Sequence, residues 1–132
     1  MSENPKSIID LRREAPRPPQ LWLGGFAVAA RVLDKCRASQ AGANGEYHYN
    51  CPIDQMFFTA SGLTAAGFSE MVATGADDAA AAVWIRREAK AGVVRRSIWN
   101  LLATIYPGFL IMIADDWLHA HRSRGRATPA GS

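Results

Sequence analysis

Cysteine is scarce in this chain, and a membrane-length apolar run is missing altogether. Cys36 and Cys51 are too few to build a disulfide framework. The segment Met1 to Lys6 lacks the apolar core of a secretory signal. Both features lead us to expect a reducing, cytoplasmic location. The greasiest stretch, Leu101 to Ala114, is interrupted by Pro107-Gly108 and falls short of the roughly 20 residues that cross a bilayer. A membrane is therefore excluded as a partner, and the stretch is expected to be core or a homodimer surface. Strict apolar/polar alternation is absent, as is any internal repeat, which argues against a sheet-rich or solenoid architecture.

A large charge imbalance is missing too. The net charge is +3, and three cations, Arg122, Arg124 and Arg126, sit in a Gly/Ser/Pro-containing tail. The remainder is close to neutral, so the folded part lacks the clustered basic face that tracks phosphates, and nucleic acid is excluded as a partner. With 48% apolar and 20% charged residues, the chain has enough apolar surface to fold rather than stay disordered.

What is present reads as helix. Pro16, Pro18 and Pro19 keep the start extended, so residues 1–24 are expected to form an arm packed on the domain, anchored by Leu21, Trp22 and Leu23. Gly24-Gly25 lets the backbone turn sharply. A helical domain is expected over 25–121, followed by a disordered tail over 122–132. Its first helix should run from Gly25 to about Ala41, with Phe26, Ala29, Ala30, Leu33 and Cys36 facing inward. Pro52 suits the first position of a second helix capped by Cys51, with Asp54 at the positive end of its dipole and Met56, Phe57, Phe58 and Ala60 buried. Thr64 caps a third helix, with Leu63 and Phe68 as its staple. Asp77 or Asp78 opens a fourth, packing through Val83, Trp84 and Ile85 and ending at Gly92. A fifth runs from Val94 or Ser97 to Tyr106, and Pro107 starts or kinks a last one to His121. The expected fold is all-α, a compact bundle of five to six helices.

The chemistry is concentrated between Arg31 and Gln55. Arg31 and Lys35 are one helical turn apart, and two cations so placed call for a compensating anion. They are candidate walls of an anion site, with Ala27 and Ala38 small enough to admit a ligand; a solvated face with a local Arg31–Asp34 pair is the structural alternative. Arg37 falls on the apolar face with Phe26, Ala30 and Leu33, so it should be buried against Glu46 or Asp54. Glu46 and Tyr47 follow a glycine that permits close backbone approach, and a carboxylate beside a phenol can exchange protons. Cys51, at a helix start among cations, is either a nucleophile or a small hydrophobe. His48, Cys51 and Asp54 have ligand chemistry but need a fourth donor from His119 or His121, so no metal is expected. Asp115 and His119 read as a solvated helix end.

In order and spacing, Pro16-Arg17-Pro18-Pro19, Leu23-Gly24-Gly25, Ala30 to Ala38, Gly45-Glu46-Tyr47, Cys51-Pro52-Ile53-Asp54-Gln55 and Trp99-Asn100 resemble the bacterial family called domain of unknown function 5069. The resemblance spans roughly residues 8 to 100. It implies that Arg31, Asp34, Lys35, Arg37, Glu46, Tyr47, Cys51 and Asp54 belong to one shared pattern, and it brings no activity with it. Two functions are compatible with the residues. One is a cofactor-free lyase, isomerase or cyclase acting on a small anionic metabolite, with Glu46, Asp54, Tyr47 and His48 as catalytic residues and Arg31, Asp34, Lys35, Arg37 and Cys51 binding substrate. The other is a non-catalytic anion-binding or protein-interaction module whose ion pairs are structural.

Overall fold

The computed structural model describes residues 8–105. Within them the chain forms strands β1 (Trp22–Leu23) and β2 (Phe26–Ala27), then helices α1 (Ala29–Gln40), α2 (Pro52–Ser61), α3 (Ala65–Ala73), α4 (Asp78–Glu88) and α5 (Val93–Ile105). The architecture is predominantly helical, with one correction to the all-α expectation. Gly24 and Gly25 both have positive φ, at 62° and 88°, and they turn β1 directly back on β2 in antiparallel register, Trp22 opposite Ala27 and Leu23 opposite Phe26. A two-residue loop with two positive φ values is the favoured hairpin connection, and a Gly-Gly pair is one of its sequence signals. The same hairpin consumes the start of the expected first helix, which begins at Ala29 and not at Gly25.

Val28 joins the hairpin to α1 at φ 76°, a conformation that strains a β-branched residue. Its N–H donates to Pro19 O at 2.9 Å and its carbonyl accepts from Val32 N at 3.0 Å, so both backbone groups are satisfied although the residue is fully buried. Trp99 and Asn100 hold the hairpin from α5. The Trp99 indole donates to Ala27 O at 2.9 Å, Asn100 Oδ1 accepts from Ala27 N at 2.8 Å, and Asn100 Nδ2 donates to Gly25 O at 2.8 Å. The short sheet is thereby completed by side chains where a third strand would otherwise lie.

The core is aromatic. Phe57, with no exposed surface, meets Phe26, Phe58, Phe68 and Trp99 at ring-centroid distances of 6.1, 5.3, 6.3 and 6.4 Å. The contacts with Phe26 and Phe68 are edge-to-face, a geometry favoured by ring quadrupoles. Thr64 Oγ1 caps α3 by accepting from Gly67 N, and Asp77 Oδ1 caps α4 by accepting from Ala80 N. α4 stops at Glu88, earlier than Gly92, because Lys90 N and Ala91 N turn to donate to Ser61 O at 2.9 and 3.2 Å. Of the expected packing residues of α4, Ile85 is buried and Val83 is exposed. No described helix is long and apolar enough to cross a membrane. The expected helix from Pro107 to His121, most of the candidate homodimer stretch, and the 122–132 tail lie outside the described residues.

Asn100 is the residue on which the hairpin depends. Asn100→Ala leaves the buried Ala27 N–H without an acceptor, and urea denaturation should show a loss of about 2 kcal/mol or more; a change within the error of the titration would contradict the clamp.

Candidate functional site

α1 is buried on nearly every side, and this decides the fate of its charges. Asp34, Lys35 and Arg37 are all buried along with Val32, Leu33, Cys36 and Ala38. A buried charge requires a partner and hydrogen bonds, and each of these three takes its partner from a different segment. Lys35 faces the start of α2. Its Nζ lies 2.8 Å from Asp54 Oδ1, with the two side chains 4% and 0% exposed. Asp34 faces the arm, where Arg17 forms a forked pair with it (Nη2–Oδ1 2.9 Å, Nε–Oδ2 3.0 Å) and donates its backbone N–H to Oδ2 at 2.8 Å. Arg37 faces the start of α4, donating to Asp78 Oδ1 at 3.0 Å and to Ala76 O at 3.0 Å. Arg17 Nη1 also reaches Asp78 Oδ2 at 2.8 Å, so two arginines and two aspartates form one neutral chain. Burial weakens the hold of Arg17 on its proton, and the hydrogen bonds to Asp34 and Asp78 more than reverse this, leaving it firmly charged.

The loop before α2 is shaped to deliver Asp54. Asn50 takes a positive φ of 65°, which asparagine tolerates, and its N–H donates to Asp54 Oδ2 at 2.8 Å. Cys51 caps α2 without a side-chain bond to the helix, and Pro52 occupies the first turn. Cys51 Sγ instead accepts from Lys35 Nζ at 2.8 Å. Lys35, Cys51 and Asp54 therefore meet, as their place in one sequence pattern implies. Gly45, at φ 57°, is required where it stands, because a Cβ there would lie 2.6 Å from Leu11 O. The close approach read into this glycine is real, and what approaches is the N-terminal segment.

Other candidates go elsewhere. The partner of Arg37 is Asp78, not Glu46 or Asp54. Arg31 does not stand beside a free Lys35, nor does it pair with Asp34; its guanidinium lies over the Tyr47 ring, 5.7 Å from the centroid. Glu46 and His48 are exposed, and no ion pair is made by Glu46 among the described residues. Ala27 and Ala38 are fully buried, so their small size serves packing. Among the described residues no three His, Cys, Asp or Glu side chains gather as metal ligands.

Sequence reasoning gave no ion-pair role to Arg17 or Asp78, the two central links of the network. The signal for Arg17 was its place between Pro16 and Pro18, which fixes the backbone where one cation sits. A second feature was also missed. Trp22, Gly24, Gly25, Arg86, Arg96, Ser97, Asn100, Leu101 and Thr104 line a cleft of about 600 Å³, within the size range of small-molecule sites. Arg86 and Arg96 have no carboxylate within ion-pair distance among the described residues. Arg96 stands in the first turn of α5, where the helix dipole disfavours a cation and where no acidic residue compensates. That anomaly was legible in Val93-Val94-Arg95-Arg96.

A helical domain whose central helix is tied by buried ion pairs to the arm, α2 and α4, with a Gly-Gly hairpin held by Trp99 and Asn100, is the class that this geometry defines. Residues 13–103 match the family model described as domain of unknown function (DUF5069), and the chain belongs to that family. No curated protein matches it.

Cys36 and Tyr49 provide a check on the packing beneath the site. Burial pushes the Cys36 thiol from its ordinary 9.0 up to about 11. Burial also raises Tyr49, helped by Cys36 and Asp54, while its hydroxyl donates to Ala65 O at 2.6 Å. Both groups hold their protons more tightly when folded. Their contribution to stability is therefore complete below the unfolded pKa and lost as pH rises through the folded one. The melting temperature should fall between pH 9 and pH 11, with Cys36→Ala removing part of the fall; a flat profile over that range would contradict the burial.

Proposed function

We propose that this chain is a non-catalytic module that binds a small anion in the cleft between the β1–β2 hairpin, the end of α4 and α5 from Arg96 onward. The observation that carries this reading is the distribution of cations. Lys35, Arg17 and Arg37 are spent on Asp54, Asp34 and Asp78, whereas Arg86 and Arg96 border open space. Guanidinium groups recognise carboxylate and phosphate through paired N–H donors. Trp22, about half exposed, supplies a flat apolar wall, and its indole N–H is bonded to Thr104 Oγ1 at 3.0 Å. A carboxylate or phosphate carried on a small planar body suits that lining. A cytoplasmic metabolite accords with the two free cysteines.

A second reading is a cofactor-free enzyme of the lyase, isomerase or cyclase type, with Asp54 or Glu46 moving a proton and Tyr47 and His48 assisting. It is favoured by the meeting of Lys35, Cys51 and Asp54, with Cys51 at the partly exposed edge. Against it stands the mutual neutralisation of Lys35 and Asp54 at almost zero exposure.

Titration with inorganic phosphate and with citrate, followed by amide and indole NMR, separates the two. The first reading predicts shifts at the Trp22 indole and at Ser97, with Arg86→Gln and Arg96→Gln each weakening binding about tenfold or more. Shifts confined to Arg31, Glu46 and Tyr47 would favour the second reading and overturn the first.

A further inference from the structure

The Nζ of Lys35 is 2.8 Å from an oxygen of Asp54 and also 2.8 Å from the sulfur of Cys51. Sulfur is the larger atom, so equal distances mean that nitrogen and sulfur are pressed closer than an ordinary N–H···S contact requires. The separation is too long for a direct nitrogen–sulfur bond and suits a single bridging atom. The geometry is also held in place. Lys35 is fixed by the buried pair with Asp54, Asp54 by Asn50 N, and Cys51 by its place before Pro52 at the start of α2. Cys51 is partly exposed, so a small oxidant can reach its sulfur, whereas Cys36 is sealed in the core.

We propose that Lys35 and Cys51 are a modification site at which an oxidant of the peroxide class creates a covalent crosslink, one oxygen atom bridging Lys35 Nζ and Cys51 Sγ. The first peroxide converts the thiol to a sulfenic acid and leaves as water, the usual first step of thiol oxidation. Lys35 gives one ammonium proton to Asp54, 2.8 Å away, which exposes the nitrogen lone pair. A second peroxide removes two electrons from that nitrogen as the N–O bond forms to the sulfenic oxygen. In total one thiol, one amine and two peroxides give the S–O–N bridge and three waters. Sulfur and nitrogen each lose two electrons, and the peroxides accept all four. The bridged nitrogen is no longer cationic, so Asp54 keeps its proton while its other oxygen still accepts from Asn50. Four thiol equivalents return the free thiol, the free amine and one water, with two disulfides formed from the reductant. The crosslink ties α1 to the start of α2, which makes the clamp on this loop responsive to oxidation.

The test uses the full chain treated with dilute hydrogen peroxide, digested without reductant and analysed by mass spectrometry. The expected product is a joined pair of peptides containing Lys35 and Cys51. Its mass should equal their sum plus one oxygen less two hydrogens, and dithiothreitol should release both. The crosslink should be absent from Cys51→Ser, a small change that keeps the buried ion pair, and Cys36 should be unmodified. Cys51 recovered as sulfinic acid with the Lys35 peptide free would overturn the proposal. A joined mass lacking the extra oxygen, or a Cys51 disulfide between two chains, would do so equally.

Discussion

The fold depends on the burial of charge along α1. A helix packed on nearly every side gains from its apolar residues, but Asp34, Lys35 and Arg37 on the same helix cannot enter an interior alone without a cost of several kcal/mol each. The chain meets this by bringing one opposite charge from each of three distant segments. Arg17 comes from 17 positions before Asp34, Asp54 from 19 after Lys35, and Asp78 from 41 after Arg37. No segment can be left undocked without stranding a charge, so the arm, the start of α2 and the start of α4 are coupled through α1. This makes for cooperativity and gives a reason for residues that look chemical to be spent on assembly. Hydrophobic contact alone would hold the same elements with less definition of where each begins.

Much of this was readable from the chain. The period of apolar residues gave the helices, Thr64 and Asp77 gave two caps, and Cys51-Pro52-Ile53-Asp54 gave the start of α2 with its acidic third position. Of the residues grouped by one sequence pattern, Lys35, Cys51 and Asp54 meet, while Asp34 and Arg37 pair with Arg17 and Asp78. What a single helical projection misses is that α1 is covered on nearly every side from Ala29 to Ala38: periodicity locates the strongest apolar stripe, but a helix wrapped by other segments buries much of its polar face too. Arg37 was expected to be buried, but it was assigned Glu46 or Asp54 in the segment that follows α1 when its partner lay in α4. The hairpin was missed because its strands are two residues long, too short to show alternation, and only Gly24-Gly25 marks it. Trp99-Asn100 stood out as a pattern, but its use as a side-chain clamp on a neighbouring backbone has no local signature.

The division of labour that results is physical. Cations inside the domain are neutralised and held rigid, those on the α4 and α5 ends face an open cleft, and Cys51 sits at the boundary, touching a buried amine while remaining reachable from outside. Ligand chemistry and oxidative chemistry would then occupy separate parts of the molecule. The strained Val28 joins the hairpin to α1, with both backbone groups hydrogen-bonded.

The most direct measurement is a double-mutant cycle on Lys35 and Asp54, read by urea denaturation of the parent, Lys35→Met, Asp54→Leu and the double variant. If the pair is what allows α1 to be buried, each single change strands a charge and costs about 3–5 kcal/mol, while the double variant recovers most of that loss. Single variants close to the parent, or a double variant as unstable as the sum of the two, would contradict the account.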